Sequence, residues 1–387
     1  MAVHSIQAIF YNNPDLYPPI VNSARLLARS GFALDLFCRE DGGQWRVSYP
    51  AGARVRRIDT RAGSSWREYC GFVAQVVRRA EKNAALFIGH DMHGLLPARL
   101  LASRYHRPLV YHCHDYAERH CPLPMGSRLV RVFQQAFART ADLVLVPDAQ
   151  RGAFMASELH LKQPPLVVAN APLTRPTADG KTLRQVLDQR GLAVERIVFR
   201  QGRIGAGHAI EVTLRSMPLW ANKSWGFVVM GIAEPAYLDR LEALAQALGV
   251  EQRFVVLPPV GYDQVAQFTP GADLGHALYE PVHINNVHIT TASNKIMEYM
   301  AAGLPLLVSD TPALRALVEQ YECGVAADHN RPESVAAAVN CLLDDPVRAR
   351  QMGAAAARAF EQVFCYERQF APALDAIRAL INGKTHA

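Results

Sequence analysis

The sequence predicts an α/β protein built from two successive doubly wound domains. Short apolar, β-prone runs alternate with helical patterns; the alternation breaks once near the middle and restarts; and 387 residues exceed what a single core usually covers. The first set of strands is expected at residues 6–11, 34–38, 86–88, 109–111 and 143–146. These are continuous apolar runs, as in parallel strands buried on both faces. Turn-forming residues then accumulate in Ala171-Pro172-Leu173-Thr174-Arg175-Pro176-Thr177-Ala178-Asp179-Gly180. This break assigns a first domain to 1–175, a linker to 176–192 and a second domain to 193–365. The second set of strands is expected at 197–201, 226–230, 254–257, 274–278 and 306–308. In open sheets of this kind ligands bind beyond the strand carboxyl ends, so a cleft faced by both domains is the expected active site.

Charge is unevenly distributed. Residues 1–190 hold 22 Arg and 3 Lys against 15 acidic side chains, whereas the remainder is slightly acidic. The first half should therefore attract anions, either an anionic lipid surface or a phosphorylated acceptor. No basic run interleaved with aromatics occurs, which argues against nucleic acid. No run of 18 apolar residues and no signal core is present, and the seven cysteines are scattered without a Cys-x-x-Cys pair. A cytoplasmic protein is expected, at most peripheral on the inner face of the membrane. The segment 125–139 has two readings. Leu129, Val130, Phe133, Ala136 and Phe137 form one face for a core, and Arg128, Arg131, Gln135 and Arg139 form either a solvated stripe or a membrane-facing one.

The most informative stretch is Ser293-Asn294-Lys295-Ile296-Met297-Glu298-Tyr299-Met300-Ala301-Ala302-Gly303-Leu304-Pro305, followed by apolar residues. It reads as an N-cap, one short helix, a Gly-Pro stop and a buried strand. Asn294 and Glu298 share a face. The amides beside Asn294 and Lys295 make an anion site with a cation next to it, and Glu298 one turn on is suited to sugar hydroxyls. A phosphate site followed by a carboxylate points to a nucleoside diphosphate ligand. The alternative is an ordinary surface helix.

A second element, Gln201-Gly202-Arg203-Ile204-Gly205-Ala206-Gly207-His208, follows a strand and precedes a helix. Glycines let a backbone approach a phosphate and Arg203 can neutralise it, although a tight turn would read the same way. In the first domain, Gly89-His90-Asp91-Met92-His93-Gly94-Leu95-Leu96-Pro97 and Pro108-Leu109-Val110-Tyr111-His112-Cys113-His114-Asp115 each close a strand. His112, Cys113, His114, His120 and Cys121 invite a metal reading. Strand alternation sends Cys113 away from its neighbours, and no second cluster has zinc-finger spacing, so no metal site is expected.

These phrases resemble those of GT-B glycosyltransferases, in particular retaining family 4, whose members carry Asn-Lys-x-x-Glu-Tyr-Met-Ala-x-Gly-x-Pro, a glycine loop beginning Gln-Gly, and His-Asp-x-x-x-Leu-Leu-Pro with Tyr-x-x-His-Glu. The resemblance implies two Rossmann-like domains facing across a cleft, with the last helix, 366–387, packed back on the first domain. It also implies transfer of a sugar from a nucleotide diphosphate sugar to an acceptor hydroxyl with retention, without a metal or other cofactor, in polysaccharide or glycolipid assembly. By that likeness Gly202, Arg203, Gly205, Gly207, His208, Ser293, Asn294, Lys295 and neighbouring amides serve the diphosphate. Glu298 serves the ribose, and His114 with Asp91 serves the transferred sugar. The acceptor would be a carbohydrate or a lipid-linked one. Three positions depart from the pattern: His208 stands where Arg is common, Asp115 where Glu is usual, and Thr290 where many relatives have a second Glu. An epimerase or hydrolase of the same fold, or a catalytically silent subunit, are the alternatives.

Overall fold

The structure is a computed structural model, and it describes residues 4–40, 42–60, 66–118, 122–176, 181–192 and 194–384. The chain divides into two compact units, one of residues 1–170 with 366–387 and one of residues 171–365. In the first unit the strands are β1 (Ser5–Phe10), β2 (Ala33–Glu40), β3 (Ala53–Asp59), β4 (Leu86–His90), β5 (Leu109–His112), β6 (Leu143–Val146) and β7 (Leu166–Val167). They lie in the order β3-β2-β1-β4-β5-β6-β7, with parallel neighbours throughout. The order reverses between β1 and β4, which makes that crevice the natural ligand position of the unit.

The second unit repeats the plan with β8 (Arg196–Gln201), β9 (Trp225–Met230), β10 (Phe254–Leu257), β11 (Leu274–Ala277), β12 (Leu306–Ser309) and β13 (Gly324–Ala327). Its order is β10-β9-β8-β11-β12-β13, again parallel, with the reversal between β8 and β11. Buried Val198, Phe227, Val229, Leu274 and Leu307 of the sheet pack with Leu214, Leu241 and Val339 of the covering helices and with Trp220. Each fully buried aliphatic side chain of this kind contributes about 1.5–3 kcal/mol, so strands without polar alternation are stable only when covered on both faces.

Besides β7, only two residues long, and β13, built of small residues, neither of which was expected, three features differ from the sequence expectation. β3 was not anticipated because Ala53-Arg54-Val55-Arg56-Arg57-Ile58-Asp59 is too polar for a buried run. It is an edge strand whose arginines find acidic partners far away in sequence: Arg54 and Arg56 on Asp35, and Arg57 on the buried Asp15 at 2.6 Å. The stretch expected as linker carries the helix Lys181–Gln189, which buries Leu183 and Leu187; residues 177–180 of it lie outside the described ones.

The third difference concerns the amphipathic segment. The helix Met125–Phe137 turns Val130 and Gln134 inward, while Leu129 is exposed together with Met125 and Val132. Phe133 instead stacks on Trp66, with ring centroids 6.4 Å apart. An apolar row therefore faces outward, with Arg128 and Arg139 exposed beside it. The final helix, Tyr366–Lys384, belongs to the first unit, where Gln369 Oε1 accepts from the Ala169 amide at 3.3 Å. No helix among the described residues is long and apolar enough to cross a membrane.

Candidate functional site

In the second unit the glycine loop leaves β8 at the sheet reversal. Gly202 and Gly207 adopt φ of 93° and 83°, a conformation that L side chains rarely adopt. The loop is tied down at both ends: the Gly202 amide donates to Met230 O at 2.9 Å, and Gly207 O accepts from the Glu280 amide at 3.0 Å and from Asn286 Nδ2 at 3.2 Å. Arg203 is exposed on the loop. Beneath it lies the fully buried Arg200, held by neutral groups only: His276 Nδ1 at 3.1 Å, Leu278 O at 3.2 Å and the ring of Tyr279.

The helix Asn294–Ala302 forms as its sequence predicts. Ser293 is the N-cap and its side chain accepts from the Ile296 amide, while Gly303 closes the helix at φ 74°. The Ser293 hydroxyl also pairs with Tyr279 Oη at 2.6 Å and is buried, so it holds the helix start in place. The amides of Asn294 and Lys295 lie outside the intrahelical ladder and carry the positive end of the helix dipole. Lys295 reaches over the ring of Tyr279, with Nζ 3.1 Å from the phenol oxygen. A Cβ built on Gly202 would meet Lys295 Cε at 3.5 Å, so lysine and glycine loop line one space.

His208 closes the loop. Burial, and then the positive charges of Arg200, Lys295 and Arg203, push its pKa far down, so the imidazole is neutral. Three cationic side chains thus surround the neutral His208, and Glu298 stands one helical turn beyond Lys295. Glu298 Oε2 accepts from Gln201 Nε2 at 2.5 Å; Gln201 Oε1 in turn accepts from Thr269 Oγ1 at 2.7 Å, and its amide donates to Tyr299 Oη at 3.0 Å. Burial raises the pKa of Glu298, opposed by the Gln201 hydrogen bond and by Lys295. Gln201 is the positioning residue that the sequence reading quoted without assigning a role. Such a site can hold a dianion on amides and cations and take paired hydroxyls on a carboxylate.

The first unit brings its own residues together. Asp91, at φ 52°, opens the helix Asp91–Tyr105 directly after β4. Its Oδ1 accepts from the amides of His114 at 2.7 Å and Asp115 at 3.2 Å, which ties the end of β4 to the end of β5. Burial and the neighbouring Asp115 push the Asp91 carboxyl up to about 7. His114 is buried, its carbonyl accepting from the buried Arg151 at 2.7 Å, and its Nε2 lies 3.1 Å from His90 Nδ1. Because His90 pairs with His112 in the parallel register, β4 delivers a third imidazole to the same place. The sequence reading grouped His112 and His114 and left His90 out; His120 and Cys121 lie outside the described residues.

Two repeated Rossmann-like units, the second carrying a glycine loop and a capped helix start beside a carboxylate, define a doubly wound α/β class of protein. Residues 20–171 match the family described as glycosyl transferase 4-like domain, and residues 192–359 match glycosyl transferases group 1. The chain belongs to the GT-B glycosyltransferases of this family and is an enzyme of that class. It is 27% identical over 383 residues to a D-inositol 3-phosphate glycosyltransferase of Kineococcus radiotolerans, covering 88% of this chain and 84% of the relative. Among solved structures, Anabaena HepE in complex with UDP and glucose has a TM-score of 0.72 at 17% identity, covering 96% of this chain and all of that one. The sucrose-phosphate synthase of Thermosynechococcus elongatus has a TM-score of 0.72 at 18% identity over 98% of this chain and all of that one. At such identities the two structures speak for the fold alone.

Proposed function

We propose that this glycosyltransferase moves a sugar from a nucleoside diphosphate sugar to an acceptor hydroxyl with retention, in polysaccharide or glycolipid assembly. The observation that carries it is the convergence of Arg203, Lys295 and the helix amides with Glu298 one turn below. In this reading the cations and amides hold the diphosphate, Glu298 holds the ribose, and Asp91 with His114 serves the sugar. The protein's work is then positioning and stabilisation of the leaving diphosphate, which receives the acceptor's proton. Thr290 takes the place of a second carboxylate, so the site contributes no nucleophile there. A thermal-shift or calorimetric screen of nucleotide sugars tests the reading, starting from UDP-sugars because HepE is a UDP complex. Analysis of the product then separates transfer from epimerisation or hydrolysis, and absence of any nucleotide binding would favour a silent subunit.

Neutralisation of the diphosphate by side chains and amides makes nucleotide binding independent of divalent cations. The nucleotide dissociation constant should be the same with EDTA as with magnesium. A loss of binding in EDTA that magnesium restores would assign the charge to a cation instead.

A membrane-borne acceptor is favoured by the exposed row Met125, Leu129 and Val132 with Arg128 and Arg139 beside it. Basic residues near an anionic bilayer contribute about 1 kcal/mol each and are screened beyond a Debye length. Co-sedimentation with anionic vesicles should be strong at low salt, weak at high salt, and reduced in Leu129→Glu. Equal binding to neutral vesicles, or none at low salt, would favour a free phosphorylated acceptor such as an inositol phosphate.

A further inference from the structure

We propose that His90, His112 and His114 form a binding site for a divalent transition-metal ion, zinc above all, at the carboxyl ends of β4 and β5. Their ligand atoms all lie within 4.8 Å of one another, and all three side chains are buried. A tetrahedral zinc ion with imidazole nitrogens at about 2.0–2.1 Å sets those nitrogens roughly 3.4 Å apart and the ring centroids roughly 5 Å apart. The 3.1 Å between His90 Nδ1 and His114 Nε2 is close to the first spacing. The centroid separations of His90 from His112, 5.3 Å, and from His114, 5.4 Å, match the second. Only the His112–His114 pair, at 4.0 Å, has to open, by a rotation of the His112 ring.

Three further observations favour an ion over a plain histidine cluster. His112 Nε2 is buried without a hydrogen-bond partner, a cost that a metal bond removes. The three rings are set by the sheet itself, His90 and His112 standing opposite each other in the parallel register of β4 on β5 and His114 two residues further on. Imidazole donors without a thiolate suit zinc, copper and nickel rather than magnesium or calcium, and three ligands leave a fourth position open for water or a substrate oxygen. The ion would tie β4 to β5 and fix the tautomer of His114, whose remaining ring nitrogen then carries the proton. None of its three ligands is among the residues assigned to the diphosphate, all of which belong to the second unit.

The test uses the full chain purified without an affinity histidine tag, saturated with zinc, exchanged into metal-free buffer and analysed by plasma mass spectrometry. One zinc per chain is expected, and cobalt in its place should give the visible bands of a tetrahedral nitrogen site. His90→Gln and His112→Gln should each weaken zinc binding by about 100-fold or more, while His329→Gln, in the second unit, binds as the unaltered chain does. Should the first two variants not fold, zinc-edge absorption of the unaltered chain reads the ligands directly and should show three imidazoles. Half an equivalent of zinc or less, undiminished binding in both folded variants, or a zinc shell without three imidazoles would overturn the proposal. Nucleotide affinity measured on the same metal-free protein reports the donor site independently.

Discussion

Gly231→Ala is expected to lower the stability of the second unit by about 3–5 kcal/mol, a fall of roughly 6–15 °C in its melting transition. A Cβ built on Gly231 would lie 1.6 Å from the carbonyl oxygen of Gly202, and the backbone there is at φ 156°. Relief requires the two backbones to part. That breaks the bonds that carry the glycine loop along the end of β9, Gly202 amide to Met230 O and Ile204 amide to Ile232 O, both 2.9 Å. Buried amides left unpaired add to the steric cost. Nucleotide binding should fail with the loop even below the melting temperature. Calorimetric melting with and without nucleotide checks both statements, and a transition unmoved by the substitution would mean that the loop is not held by this approach.

Glu298→Ala should weaken nucleotide binding by about 1.5–3 kcal/mol, roughly 10- to 150-fold in the dissociation constant, through loss of hydrogen bonds to a charged acceptor. The substitution also strands Gln201 Nε2, which donates to Glu298 at 2.5 Å. Glu298→Gln keeps a neutral acceptor at that place and should fall between the two, which separates loss of charge from loss of shape. Far-UV circular dichroism should be unchanged in both variants. An unaltered nucleotide dissociation constant in Glu298→Ala would remove this side chain from the ribose role.

Local chemistry made much of the second unit legible. The helix Asn294–Ala302, its Ser293 cap and its Gly303 stop all follow from neighbours three and four residues apart, which a sequence displays directly. The longer apolar strands of both sheets were readable as continuous runs, whereas the two-residue β7 and the small-residue β13 carry too little β-prone bulk to stand out. β3 was not readable either, because its arginines become acceptable only once Asp15, Asp35 and Glu81 arrive from elsewhere in the chain.

The glycine loop, the Lys295 and Glu298 spacing and the two-sheet plan were thus determined by the sequence alone, each from residues within one or two turns or from continuous apolar runs. The tertiary structure alone decided the long-range pairings. Gln201 reaches Glu298 across 97 positions, and the register of β4 on β5 sets His90 opposite His112, while the same packing turns Leu129 outward. Such pairings depend on strand order, register and helix rotation, which arise from packing between distant segments and leave no periodic trace in any one of them.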